Sequence, residues 1–177
     1  MYAAGDAADT PGAPLTPVAV CEGPVAVSNM LKAATTTPGY SGIATAVFTI
    51  PELTRVGLTE TEARKAGIDF DVRYNDTSGW YSNYRIGETT AAVKIIIDRT
   101  TDIVGAHMLG AEYGELINIC ALAIRLGPTT RQLKSMAAAY PTRRQRPRLH
   151  VVTGTAVAVS TTRLRPQVAE SACCDGR

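Results

Sequence analysis

Two short stretches near the start of the chain hold residue types that can do chemistry. Small apolar residues run into Gly5–Asp6, and a Pro/Gly-rich loop then leads to Leu15, Thr16, Pro17 and Val18. The pattern reads as the exit of a buried strand and the entry to a helix. Asp6 would offer a carboxylate acceptor. The helix start would offer unpaired backbone N–H groups and a partial positive charge, which favour an electron-rich ligand. On residue type alone, Gly-Asp is equally a common turn and Thr-Pro a common helix start.

The other reactive side chains form no constellation. Cys21 and Cys120 sit in apolar helical patterns and read as small buried hydrophobes, while Cys173 and Cys174 are adjacent near the C-terminus. No C-x2-C or His/Cys spacing suggests zinc, and neither a GxGxxG nor a C-x4-C pair occurs. His107 falls in a hairpin, where a satisfied sheet histidine is expected. Glu115 lies on an apolar helix and suits a structural or interface role. Trp80, Tyr81 and Tyr84 share a polar loop and suit interface packing, or the lining of a groove.

The elements that would position these residues follow from periodicity and punctuation. A helix is predicted over 15–32, with Thr16 as cap and Pro17 at its first position; Gly23–Pro24 should kink it or end it early. A Thr/Gly/Pro-rich linker follows. TAVFT (45–49) reads as a strand, and Thr59-Glu-Thr-Glu62 as a capping box opening a brief helix that stops at Gly67. IDFDVRY (68–74) alternates like a half-buried strand. AAVKIIID (91–98) and IVGAHML (103–109) form a hairpin across a polar turn. Around 112–126, Leu116, Ile117, Cys120, Ala121 and Ile124 make a stripe, and Ile119, Leu122, Ala123 and Leu126 fill most of the remaining surface. A helix so apolar must be covered on more than one side, by a sheet and by a second subunit or domain. A last helix is predicted over 131–139, capped by Thr129 or Thr130 and stopped by Pro141. Val151–Ser160 could be a strand with no obvious partner. The order implies α+β architecture with a mostly antiparallel sheet.

The chain has 177 residues, 45% hydrophobic and 19% charged, which suits an ordinary globular domain and excludes wholesale disorder. No run approaches a membrane span, and residues 1–30 lack the pattern of a signal peptide, so a cytoplasmic location is expected. Residues 1–142 hold 11 lysines and arginines against 14 acids, whereas 143–177 hold seven arginines against two acids. Basic residues crowded into one terminal segment argue against a nucleic-acid-binding face.

Four segments in order resemble one family: YAAGDAA…LTPVAVCEG, FTIPELTRVGLTETEARKAG, IVGAHMLGAEYGELINICALAIRLG and AAAYPT. They are similar to the flavin-dependent pyridine nucleotide–disulphide oxidoreductases, which include glutathione reductase, dihydrolipoamide dehydrogenase and mercuric reductase. The likeness covers about residues 1–142. It implies that 1–34 is the end of an FAD-binding domain, 35–43 a linker, and 44–142 a dimerisation domain with an antiparallel sheet and helices on one face. Met1 would then be an internal or misassigned start. The 143–177 tail is unlike the family and reads as an out-of-frame extension, which makes Cys173–Cys174 a chance pair.

The resemblance assigns Asp6 to accept hydrogen bonds from FAD ribityl hydroxyls, and Leu15, Thr16, Pro17 and Val18 to the helix start facing the flavin pyrimidine edge. It implies no catalytic residue. Tyr140 and Gln145 occupy the family's histidine and glutamate positions, and a phenol with a pKa near ~10 is a poor base at neutral pH. The implied function is that of a C-terminal piece of an FAD- and NAD(P)H-dependent reductase, inactive alone, partnered by itself or a full-length relative. FAD and NAD(P)H would belong to the parent, with FAD not retained here. A free-standing cofactor-free interaction module is the alternative, and an Arg-tailed nucleic-acid binder ranks last.

Overall fold

The computed structural model describes residues 2–32, 36–100, 102–136 and 157–159. They fall into two units, one holding the residues up to Ile43 and the other beginning at Ala44.

In the first unit a single 3-10 turn at Gly5–Ala7 precedes helix α1, Thr16–Lys32. Thr16 is itself the first helical residue rather than the cap. The helix also runs through Pro24 to Lys32, contrary to the expected break. Proline costs the Val20 carbonyl its helical partner. Val20 lies on the exposed side of α1, where water can replace the lost bond. At the far end Asn29, buried, brackets Thr36: its amide donates to the Thr36 carbonyl (2.9 Å) and its carbonyl oxygen accepts from the Thr36 N–H (3.1 Å).

The second unit is built on an antiparallel sheet. Its strands are β1 (Ala44–Val47), β2 (Glu52–Gly57), β3 (Phe70–Asp76), β4 (Ala92–Asp98), β5 (Ile103–Gly110) and the short β6 (Val157–Val159), in the order β1-β2-β5-β4-β3-β6. The helices are α2 (Glu60–Lys65), α3 (Tyr81–Tyr84), α4 (Tyr113–Leu126) and α5 (Thr130–Ser135). The β4–β5 hairpin forms as the sequence implies. Val104 is an extra residue in it, because Ile96 faces Gly105 while Ile97 faces Ile103. Val157–Val159 does find a partner, pairing antiparallel with Phe70–Val72.

Both faces of the sheet are covered. Val93, Ile95, Ile97, Ile103, Ala106 and Met108 point to one side, where Tyr113, Ile117 and Ala123 of α4 close the main core and Leu133 of α5 adds to it. Burying each large apolar side chain of this kind contributes roughly 1.5–3 kcal/mol. Phe70, Val72 and Ile96 point to the other side and meet Ala63 of α2. The expectation gathered the helices on one face; α4 and α5 sit there, while α2 takes the opposite one. The reason lies in strand alternation, since β4 carries isoleucine at 95, 96 and 97 and is buried on both faces.

The capping box expected at Thr59 is present, and the last helix is capped by Thr129, with a box of its own that the sequence reading did not name. At α2 the Thr59 hydroxyl accepts from the Glu62 N–H, and Glu62 accepts from the Thr59 N–H at 2.7 Å. At α5 Thr129 and Gln132 repeat the arrangement. Helix α4 starts differently: Glu112 sits in the left-handed region (φ 57°), and the Glu52 carboxylate from β2 accepts from the Gly114 N–H at 2.8 Å.

Candidate functional site

The first unit places the two predicted stretches side by side along one helix end. Gly5 takes a positive φ (65°), so the chain turns sharply and leaves Asp6 exposed in the 3-10 turn. Among Leu15–Val18, the Leu15 N–H donates to Ala13 O (2.8 Å), Pro17 has no N–H, and the Val18 N–H donates to Leu15 O (2.9 Å). Among the described residues this leaves the Thr16 amide as the helix-start donor without a backbone acceptor. Val18 is buried under the loop; a Cβ on Gly12 would overlap its side chain and the Tyr40 ring.

A residue that sequence reasoning missed holds this arrangement together. Glu22, on α1, is only 3% exposed. Its Oε2 accepts from the Gly5 N–H at 2.6 Å, and its Oε1 accepts from the Thr10 hydroxyl at 2.7 Å and the Tyr40 hydroxyl at 2.8 Å. Hydrogen bonds from Thr10, then Tyr40, then Gly5 hold its carboxyl below the ordinary carboxylate range against the opposing effect of burial. The signal was an acid set inside an otherwise apolar helical run, VAVCEGPVAV.

As a ligand site, this turn offers an exposed carboxylate acceptor beside a helix end with an open N–H. That donor and acceptor set suits a ligand carrying hydroxyl donors and a polar acceptor edge. Among the described residues no group of His, Cys, Asp or Glu could hold a metal ion. Cys21 and Cys120 are half-buried and form no disulfide.

In the second unit the candidate surface is the outer side of α4. Tyr113, Ile117 and Ala123 face the sheet, whereas Leu122 and Leu126 are 56% and 70% exposed. The expected need for a second cover is therefore unmet within the described chain. Phe48 (88% exposed) and Ile50 (100%), in the β1–β2 connection, are further bare apolar side chains. Glu115 is exposed on α4. Trp80 is half-buried, and Tyr81 and Tyr84 are exposed. The loop that carries them is pinned from beneath. Asn83, fully buried, donates to the Thr77 carbonyl (2.8 Å) and to the Tyr113 hydroxyl (2.9 Å), and that hydroxyl pairs with the Thr77 hydroxyl at 2.8 Å.

His107 is the satisfied sheet histidine expected. Its Nε2–H donates to the Leu58 carbonyl at 3.1 Å. Burial holds the imidazole below its ordinary pKa; the Leu58 bond opposes this, while Lys94 and Arg55, its register partners on either side, add to it. Tyr140, Gln145, Cys173 and Cys174 lie outside the described residues. No helix among the described residues is long and apolar enough to cross a membrane.

Residues 43–149 match the family described as the pyridine nucleotide-disulphide oxidoreductase dimerisation domain. Over 143 residues, 80% of the chain, the sequence is 47% identical to an uncharacterized 19.7 kDa protein in a mercuric resistance operon of Staphylococcus aureus, and it covers 79% of that protein. It is 33% identical over 144 residues, 80% of the chain, to a glutathione reductase of a Nostoc species, but covers 31% of its length. Among solved structures, the HOCl-induced flavoprotein disulfide reductase RclA from Escherichia coli superposes with a TM-score of 0.70 at 25% identity, over 81% of this chain and 33% of that one. The chain thus spans about a third of these two named reductases.

Proposed function

Because the chain belongs to the pyridine nucleotide-disulphide oxidoreductase family through its dimerisation domain, we propose that it supplies the dimer interface and one edge of the flavin site of a cytoplasmic FAD- and NAD(P)H-dependent reductase, and is not a complete catalyst alone. The substrate class of the parent is a disulphide or a related electrophile. FAD, when bound, passes hydride equivalents from NAD(P)H onward. This chain's own part is to bind and orient: Asp6 accepts from ribityl hydroxyls, and the start of α1 offers the Thr16 amide and the positive end of its dipole to the ring edge. It contributes no proton-transfer dyad, since Tyr140 and Gln145 stand where the family has histidine and glutamate.

One observation carries the reading. The matched domain has a helix whose inner side closes the core and whose outer side leaves Leu122 and Leu126 bare. The test is sedimentation of the purified chain over a range of concentrations, with its visible spectrum and its NAD(P)H oxidation in the presence of glutathione disulphide. A colourless, concentration-dependent dimer without turnover is expected. A strictly monomeric, folded species would overturn the interface role, and turnover with tightly held flavin would overturn the incompleteness.

A second reading is a cofactor-free module that pairs with itself or with a longer relative. It is favoured by the 19.7 kDa staphylococcal protein, most of whose length this chain covers. Such a module would dimerise equally well but give no response to added FAD at Asp6 or Thr16.

A further inference from the structure

Glu22 is a carboxylate in the apolar middle of α1, and burying such a group is costly unless its oxygens are saturated. No Lys or Arg within 4 Å neutralises it among the described residues; its three donors are neutral. All three come from irregular segments: the Gly5 turn, the loop at Thr10, and Tyr40 beyond the end of α1. The two oxygens divide the work. Oε2 takes the backbone of Gly5, the residue directly before Asp6, and Oε1 takes the two hydroxyls. Thr10 is itself fixed, since its hydroxyl also accepts from the Gly12 N–H at 3.3 Å. The turn has no slack toward the helix either: a Cβ at Gly5 would stand 3.1 Å from that of Ala19.

We infer that Glu22 is a positioning residue of the flavin edge: its carboxylate fixes the Gly5 amide to α1 and thereby sets the Asp6 carboxylate for a polyol. The inference rests on the flavin reading of the turn. Glu22 touches no ligand; it acts through Gly5. Only an acceptor can serve the Gly5 N–H, whereas the Thr10 and Tyr40 hydroxyls can reverse and accept. Glutamine therefore keeps the geometry with a weaker, uncharged bond to Gly5, and alanine abolishes it.

The test uses the 15N-labelled full chain as wild type, Glu22→Gln and Glu22→Ala. The Gly5 amide proton is expected downfield in wild type, partly returned in E22Q, and fully returned in E22A with exchange at least about tenfold faster. The amides of α1 beyond its first turn should hold their positions. A Gly5 resonance indifferent to both substitutions overturns the inference, and if E22A does not fold, E22Q alone decides it. Excess FAD is then added. Shifts at Asp6 and Thr16 that shrink several-fold in E22Q support the positioning role, and equal shifts in both chains overturn it. A wild-type chain with Gly5 anchored but no shift at Asp6 or Thr16 overturns the flavin reading itself, and the assignment of Glu22 to a flavin falls with it.

Discussion

Tyr113 shows how much one hydroxyl can hold. It is buried at the first position of α4, and its oxygen joins Thr77 and Asn83, neither of which reaches solvent. The Asn83 amide cannot be turned round, because the Thr77 carbonyl it faces only accepts. Its Oδ1 has no hydrogen-bond partner among the described residues, so the cluster has nothing to spare. Tyr113→Phe would leave the Thr77 hydroxyl buried and alone, and the expected loss is about 1–3 kcal/mol, read from urea unfolding. His107 makes a prediction of a different kind. Its pKa is lowered in the folded protein, so the unfolded imidazole, with its ordinary value near ~6.5, takes up a proton first as pH falls. The unfolded chain then binds more protons, and stability should decline as pH drops below about 6.5. The decline continues to the lower folded pKa. Glu22, Glu60, Glu62 and Asp76, whose carboxyls are held below their ordinary range, lose their contribution only in more acid solution, below about 4.5. Denaturation midpoints measured across pH 5–7 for wild type and His107→Gln test this; an equal slope in both chains would remove His107 from the account.

At the scale of elements, the capping box at Thr59 and the β4–β5 hairpin were legible because each is written in contiguous residues. Thr59→Ala removes the hydroxyl that accepts from Glu62 and should cost about 1 kcal/mol, seen as a lower urea midpoint at unchanged slope. What stayed hidden depends on distant partners. The start of α4 has no capping residue of its own, since its cap arrives from Glu52, 62 residues away. The role of Glu22 stayed hidden because its donors lie up to 18 positions distant. Pro24 misled because the sequence does not say that the carbonyl it deprives lies on an exposed turn. The glycines facing each other across β2 and β5 are a further case. Gly105 faces Gly57 in register, and a Cβ at Gly105 would run into the Leu58 carbonyl, which is backbone and cannot rotate away. Gly105→Ala should therefore cost about 2–4 kcal/mol, well beyond the helix-cap change, by the same unfolding measurement.

For the whole molecule the decisive quantity is where apolar surface ends. One side of α4 is spent on the core, and its other side carries Leu122 and Leu126 one turn apart, both largely exposed in the single chain. Charges there would not disturb the core, because neither side chain packs into the cluster formed by Tyr113, Ile117 and Ala123. They would be intolerable at a closed interface, where an unpaired carboxylate loses its hydration without gaining a partner. If a second copy covers this side, the double substitution Leu122→Glu/Leu126→Glu should weaken self-association at least about tenfold in sedimentation equilibrium, while the unfolding midpoint extrapolated to low concentration stays within about 0.5 kcal/mol of wild type. The two measurements separate the possibilities that a single one would confuse. Lost association with intact folding places the interface on α4, whereas unchanged association moves it elsewhere, with Phe48 and Ile50 of the β1–β2 connection as the next bare apolar side chains to charge.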